Sequence, residues 1–345
     1  MSKNIRIAIN GAGRIGRAFY KVAATRPELE VVAVNDLADI HNIAYLLKYD
    51  SAYGRSGLDI TVAADGQAFT VNGKEVKYFS IKDPATLPWK DLNVDIVVES
   101  TGLFTTFAKA AAHLTAGAKR VVISAPAKDD PAGAAVPGAT VLMGINEDAL
   151  TNCQVSSNGS CTTNASAPVI QILNEALGIE KAILNTTHSY TASQLLVDGP
   201  AKKDWKEGRA AAHNMVPTST GAAIAVTKAV PALEGKFDGI SIRVPTIAGS
   251  IADVTFIAKR PTTVEEVNSI LKKAATESRW QKTFTVTDEP LVSTDIVGNP
   301  HASIADLGLT RVVDGTLVKV MAWYDNEMGY THSLVEHVLT AAQQL

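Results

Sequence analysis

Gly11-Ala12-Gly13-Arg14-Ile15-Gly16 joins a short apolar run to a segment with helical spacing, and that arrangement limits how the first part of the chain can fold. The run Ile5 to Ile9 ends in Asn10-Gly11, and Arg14 to Ala24 carries apolar residues at Ile15, Ala18, Phe19 and Val22. Strand, glycine turn and helix therefore follow in order. The first glycine permits the tight turn, the second lets a pyrophosphate approach the backbone, and the third lets the helix pack closely. N–H groups at the helix start then face the phosphates. Asp36 follows Gly16 by 20 residues, at the end of the next apolar run, Val31 to Val34. A carboxylate there accepts from both ribose hydroxyls and repels a 2′-phosphate, so NAD is expected rather than NADP. Gly11, Gly13, Arg14, Ile15 and Asp36 are the expected cofactor residues. A glycine-rich turn in an unrelated α/β protein is the competing reading of the motif alone.

Further apolar runs, Ile96 to Val98 and Val121 to Ile123, flank an alanine-rich segment with helical character from Thr106 to Ala116. Apolar strands alternating with helices predict an α/β Rossmann dinucleotide-binding domain with a mostly parallel sheet covered on both faces. Beyond about residue 160 the strands lengthen and several alternate with polar residues: Ala182 to Tyr190, Gly239 to Val244, Ile251 to Ala258 and Leu317 to Tyr324. With helices expected over Ala165–Leu177 and Thr220–Val230, this half reads as an α+β catalytic domain with an antiparallel or mixed sheet. At 345 residues two domains are expected, residues 1–160 for the dinucleotide and 161–325 for catalysis. The last segment, Gly329 to Gln344, has helical spacing, and Lys128 to Gly138 reads as a surface loop.

Composition narrows the function. A formal net charge of −3 argues against a dedicated nucleic-acid binder. No stretch reaches the length of a membrane span and the amino-terminal apolar run is too short for a signal peptide, so a cytoplasmic protein without a membrane partner is expected. The two cysteines, Cys153 and Cys161, fit neither a redox pair nor a zinc framework. No metal is expected, and unpaired thiols suit a reducing compartment.

Cys161 lies in the polar run Ser156 to Asn164, directly before an apolar helix. A helix N-terminus there favours the thiolate and lowers the thiol pKa. Cys153 reads better as a small buried hydrophobe. A nucleophilic thiol needs a base close in space, and His188, at a strand end among hydroxyls, is the candidate; a hydrogen-bonded structural histidine is the plainer alternative. Arg243 interrupts the apolar strand Ile240 to Val244, where a guanidinium needs an anion: a phosphate, or a buried carboxylate. Pro217 to Gly221 opens an alanine-rich helix with hydroxyls that serve either an anion site or an ordinary cap.

These residues together resemble the phosphorylating glyceraldehyde-3-phosphate dehydrogenases over essentially the whole chain. The matching segments include Ile9 to Arg17, Leu46 to Ser51, Glu99-Ser100-Thr101-Gly102, Ser160 to Asn164, Val197 to Pro200, Pro217 to Ala222, Arg243 to Thr246 and Trp323 to Glu327. The resemblance implies that Cys161 attacks the aldehyde of glyceraldehyde 3-phosphate, that His188 takes the hydroxyl proton, and that inorganic phosphate cleaves the thioester to 1,3-bisphosphoglycerate. It implies Thr191, Ser193 and Arg243 for the substrate phosphate. Ser160, Thr220 and Gly221 would hold the attacking phosphate, Thr162 would join the phosphate-binding set, and Arg243 would lie between the two sites. Thr101, Gly102 and Ser124 would line the cofactor cleft, and Asn326 would orient the nicotinamide amide. It also implies that a carboxyl-terminal helix, 326–345, packs back on the dinucleotide domain. The segment from about Gln194 to Asn214 would reach a neighbouring subunit in a homotetramer.

The chain departs from the family at Ala12 and Met328, where aromatics are common, and at Ala165, where many relatives carry a second cysteine. Its Lys128–Gly138 loop is longer than usual. The nearest rival is erythrose-4-phosphate dehydrogenase, from which Ser219 to Ala223 distinguishes this chain; a non-catalytic binding protein on the same fold is the rival from another class.

Overall fold

The computed structural model describes residues 4–129, 136–201 and 204–345. Residues 130–135, in the loop singled out above, lie outside the described residues. The chain divides into two compact units: Met1–Val141 with Asn146–Gly159 and Leu334–Leu345, and Leu142–Ile145 with Ser160–Ser333.

Among the described residues the main sheet of the first unit has nine strands, in the spatial order Gly138–Thr140, Val155–Ser157, Arg120–Ile123, Ile96–Glu99, Ile5–Asn10, Leu29–Asn35, Lys74–Phe79, Ala68–Val71 and Ile60–Val62. The first seven are mutually parallel. Their central runs, such as Ile96 to Val98 and Val121 to Ile123, are wholly buried, as a sheet covered on both faces requires. The last two strands are antiparallel, a margin that alternation of strands and helices does not predict. Asn72 and Gly73, both at positive φ, make the hairpin turn there. The expected Thr106–Ala116 helix is two short pieces, Phe107–Ala110 and Ala112–Thr115. The chain tightens at Ala111, whose carbonyl accepts from Leu114 N–H only three residues on.

Among the described residues the second unit carries seven strands, ordered Val216–Ser219, Phe237–Val244, Ile179–Ser189, Ser250–Ala258, Leu317–Tyr324, Ser303–Val313 and Phe284–Thr287. Two pairings are parallel and four antiparallel, so the sheet is mixed. The strand Ser250–Ala258 alternates strictly: Ala252, Val254 and Phe256 are buried while their neighbours are partly exposed. The buried face packs against the helices Cys161–Leu177, Ala222–Ala229 and Val264–Ala275, through residues such as Val169, Ile170 and Leu173. The opposite face leaves Ile183 and Ile240 more than half exposed, at 58% and 53%.

Candidate active site

In the first unit the glycine turn has the shape its sequence demands. Gly11 sits at φ +96°, and a Cβ there would lie 2.7 Å from the Thr101 nitrogen. A Cβ on Gly16 would overlap the Gly11 carbonyl oxygen, so the third glycine admits the turn itself rather than the sheet. Gly13 differs: it is exposed, and a Cβ on it would meet nothing in the protein. That open ground is where a phosphate group fits. Gly13 is also the N-cap of Arg14–Ala23 and lends no side chain to the first-turn N–H groups. The Arg14 guanidinium is engaged by Asp50 at 2.9 Å, which leaves its backbone N–H as its available donor at the turn.

Asp36 accepts from Ala12 N–H at 2.6 Å through one oxygen and from Ala38 N–H at 2.9 Å through the other. The first bond ties the carboxylate to the glycine turn, and the second fixes it to its own segment. The pocket around it is lined by Asn10, Gly11, Gly13, Asp36 and Thr101, with Leu37, Ile81, Leu103 and Phe104 as apolar walls. Leu37 and Leu103 are 59% and 68% exposed, apolar surfaces on which a flat ring can lie. Thr101 and Gly102, the latter at φ +73°, follow the strand Ile96–Glu99. Ser124 follows Arg120–Ile123 and donates its N–H to the Glu99 carbonyl. Asn10, Ser100, Leu103 and Phe104 were not among the expected residues. Ser100 Oγ donates to the Gly11 carbonyl at 2.7 Å, and its place in the matched run Glu99 to Gly102 was the available signal.

In the second unit Cys161 is the first residue of the helix Cys161–Leu177, with Ser160 as N-cap. The Ser160 hydroxyl accepts from Thr163 N–H at 3.1 Å while the Thr163 hydroxyl accepts from Ser160 N–H, a reciprocal cap. The helix thus begins four residues earlier than Ala165. His188 ends a long strand and lies directly opposite Arg243 in the parallel pairing. Cys161 Sγ is 3.3 Å from His188 Nε2, and Arg243 Nη1 is 2.7 Å from His188 Nδ1. Tyr324 presents its ring edge-on to His188, its hydroxyl held by Thr162 and Thr186 at 2.9 and 2.8 Å.

The electrostatics correct one expectation. Burial pushes the Cys161 thiol up; the Arg243 charge and the Thr162 N–H pull it down without prevailing. Desolvation therefore outweighs the helix terminus, and the thiol rather than the thiolate is favoured. His188 is pushed down to about 3, first by burial and then by Arg243, against the Ser189 carbonyl. It is a neutral imidazole near pH 7. The Ser189 carbonyl, 2.6 Å from Nδ1, can only accept and Arg243 Nη1, 2.7 Å from the same nitrogen, can only donate, so the two contacts favour opposite tautomers; the one with its proton on Nδ1 turns the Nε2 lone pair to the thiol. Arg243 Nη1 can then bond the same carbonyl, at 3.4 Å. Among the described residues no carboxylate pairs with Arg243, and its buried Nε has no partner. The carboxylate alternative for Arg243 is not met.

The remaining residues fall around this centre. Thr191 and Ser193 lie just past the His188 strand, their hydroxyls 3.1 Å apart. Val216–Ser219 runs antiparallel to Phe237–Val244 with Val216 opposite Arg243 and Ser219 opposite Ile240. Thr220 and Gly221 therefore follow the far end of that ladder, roughly 10 Å along the strand from Arg243. Thr220 Oγ1 accepts from Ala222 N–H at the start of Ala222–Ala229. Asn326 accepts from Gly249 N–H and Ser250 Oγ, both at 3.1 Å and both through Oδ1, which turns its amide nitrogen away from them. Among the described residues no cluster of three or more His, Cys, Asp or Glu could hold a metal, and no helix is long and apolar enough to cross a membrane.

Comparison with known proteins bears on both units. Residues 5–107 match the family model of the glyceraldehyde 3-phosphate dehydrogenase NAD binding domain, and residues 160–326 match that of the same enzyme's C-terminal domain. The chain is 46% identical to glyceraldehyde-3-phosphate dehydrogenase 2 of Streptomyces avermitilis over 344 residues, 99% of each chain. It is 46% identical to glyceraldehyde-3-phosphate dehydrogenase of Mycobacterium avium over 348 residues, again 99% of each. Glyceraldehyde-3-phosphate dehydrogenase 1 of Bacillus subtilis is 47% identical over 334 residues, 96% of each.

Proposed function

Because the chain belongs to the glyceraldehyde 3-phosphate dehydrogenase family, we propose that it oxidises glyceraldehyde 3-phosphate with NAD and inorganic phosphate, forming 1,3-bisphosphoglycerate through a thioester on Cys161. The observation that carries the reading is the contact of Cys161 Sγ with His188 Nε2 beside an Arg243 that has no protein anion. Bound NAD supplies the acceptor for the two electrons that leave the aldehyde carbon.

Cys161 Sγ gives its proton to His188 Nε2 as it bonds to the aldehyde carbon, and Nε2 returns that proton to the former carbonyl oxygen, leaving a thiohemiacetal and a neutral imidazole. His188 Nε2 then takes the proton of the thiohemiacetal hydroxyl as the carbon is oxidised to the thioester. Inorganic phosphate displaces Cys161, whose sulfur leaves with the bonding electrons, and the product is an acyl phosphate. Protonated His188 stands beside Arg243, an unfavourable pair of cations. A substrate phosphate held by Arg243, Thr191 and Ser193 neutralises the guanidinium and eases proton transfer to Nε2. Ser160, Thr162, Thr220 and Gly221 receive the second phosphate, the last two at a helix start that suits an anion. Gly11, Gly13, Arg14, Ile15, Asp36, Thr101, Gly102 and Ser124 hold the dinucleotide, and Asn326 orients its nicotinamide amide.

Exposed apolar groups support a homotetramer. Leu196, Val197, Trp205 and Met215, in or beside the 194–214 segment, are each more than 70% exposed, and the open sheet face adds Ile183 and Ile240. Two free cysteines suit the cytoplasm.

Omitting phosphate tests the mechanism. A single turnover without it should give one equivalent of NADH per active site and then stall at the thioester. Steady NADH production without phosphate would show that water, not phosphate, is the natural acceptor.

A further inference from the structure

A second group of polar side chains is buried in the first unit, beneath the dinucleotide pocket and apart from Cys161 and His188. At its centre is Glu99, 2% exposed, at the end of the strand Ile96–Glu99. Its Oε2 accepts from Asn10 Nδ2 at 2.6 Å and contacts His113 Nε2 at 3.0 Å; its Oε1 accepts from Thr101 N–H at 2.8 Å and contacts Thr101 Oγ1 at 2.5 Å.

The direction of every bond follows from its neighbours. Trp89 Nε1, which can only donate, reaches His113 Nδ1 at 3.0 Å, so the His113 proton is on Nε2 and points at Glu99. Thr101 Oγ1 accepts from Leu103 N–H at 3.0 Å, so its own proton goes to Glu99. Asn10 Oδ1 accepts from Asn35 Nδ2 at 2.7 Å, which turns the Asn10 amide nitrogen toward Glu99. Four donors converge on the carboxylate. Asn10, Asn35 and Thr101 also line the dinucleotide pocket, and Phe104, another lining residue, meets His113 edge-on at 6.4 Å.

We propose that Glu99, backed by His113 and Trp89, is a positioning residue for the dinucleotide: its buried carboxylate holds Asn10, which leads into the glycine turn, and Thr101, which lies against Gly11, in place at the pocket floor. The inference rests on the reading of this pocket as the NAD site. Only a carboxylate satisfies the arrangement. In Glu99→Gln the new amide N–H₂ faces either Thr101 N–H or the His113 and Asn10 donors, and each orientation sets donor against donor. The strain falls on the pocket floor and not on the substrate residues.

Three measurements on the full-length protein test the proposal. Glu99→Gln should weaken NAD binding about tenfold or more and raise the KM for NAD. Its kcat at saturating NAD and its KM for the aldehyde phosphate should stay within about twofold of wild type, a split that general loss of structure would not produce. In wild type, the indole ¹⁵N–H signal of Trp89, assigned by its loss in Trp89→Phe, should move on saturation with NAD. Asp36→Ala serves as the control for the pocket. If Asp36→Ala leaves NAD affinity unchanged, the pocket reading fails. If Asp36→Ala weakens NAD but Glu99→Gln binds it within twofold of wild type, this inference alone is overturned. Should Glu99→Gln not fold, a Trp89 signal that stays put at saturating NAD overturns it instead.

Discussion

Arg243 shows how a single side chain links recognition to chemistry. Its charge depresses His188, its Nε lacks a protein partner, and its position opposite His188 is set by strand register. Arg243→Ala should weaken both glyceraldehyde 3-phosphate and inorganic phosphate, with the larger loss roughly 10- to 100-fold for a charge-assisted contact of about 1.5–3 kcal/mol. The acid limb of thioester formation should also move to higher pH, because the cation that disfavours a proton on His188 is gone. Thr220→Ala should chiefly weaken inorganic phosphate. Unchanged constants for both ligands in Arg243→Ala would remove that residue from the site. The pairing of His188 with Arg243 was only partly legible in sequence: Arg243 was conspicuous as a charge in an apolar strand, and His188 as a candidate base at a strand end among hydroxyls. Their juxtaposition depends on the parallel ladder between strands some fifty residues apart, which no local pattern encodes. The raised Cys161 thiol was not legible at all, since burial is a property of the packed molecule.

Among the elements, the glycine turn separates roles that its sequence motif merges. Gly13→Ala adds a methyl group where the protein has none nearby, so thermal stability should hold while NAD affinity falls. In Gly16→Ala the methyl group collides with the Gly11 carbonyl, and both stability and NAD affinity should fall. Thermal melts and NAD titrations of the two variants check this; equal melting losses would mean that Gly13 is also held by the protein. The strand–turn–helix here was legible because period and punctuation agreed. The antiparallel margin was missed although Asn72-Gly73 is a hairpin signal, because Ala68–Val71 has only four residues and Lys74–Phe79 opens with two charged ones. Cys161 was rightly read at or near a helix N-terminus, but the helix was drawn from Ala165, because Thr162, Thr163 and Asn164 are weak helix formers; the reciprocal Ser160–Thr163 cap overrides that tendency.

At the scale of the molecule, two neutral histidines make the fold sensitive to acid. His337 is fully buried and pushed down to about 3 by burial, with Nε2 2.8 Å from Ser156 Oγ and Nδ1 3.0 Å from Asn158 Oδ1. His188 is depressed to a similar value. An unfolded chain takes up these protons near pH 6.5, whereas the folded one resists until about pH 3. The stability they confer is therefore complete above pH 6.5 and declines as pH falls toward 3, by up to about 1.4 kcal/mol per pH unit for each. Melting temperatures recorded from pH 7 to 4.5 should fall less steeply in His337→Gln than in wild type; parallel curves would exclude His337.

His337 belongs to the stretch Leu334–Leu345, which the dinucleotide unit draws from far along the chain. Glu336 in that stretch binds Arg26 at 2.7 Å, and the Gln344 carbonyl accepts from Arg120 at 3.2 Å. A ribosome makes the strands of this unit first and the stretch that closes it last. At ordinary elongation rates roughly ten to forty seconds separate Gly159 from Leu345. Throughout that interval Ser156 and Asn158 have no His337 to meet, and the surface that Leu334, Val335 and Val338 will bury stays open. The half of the chain that is translated first is thus completed by residues translated long after it, and it cannot bury its full core until they arrive.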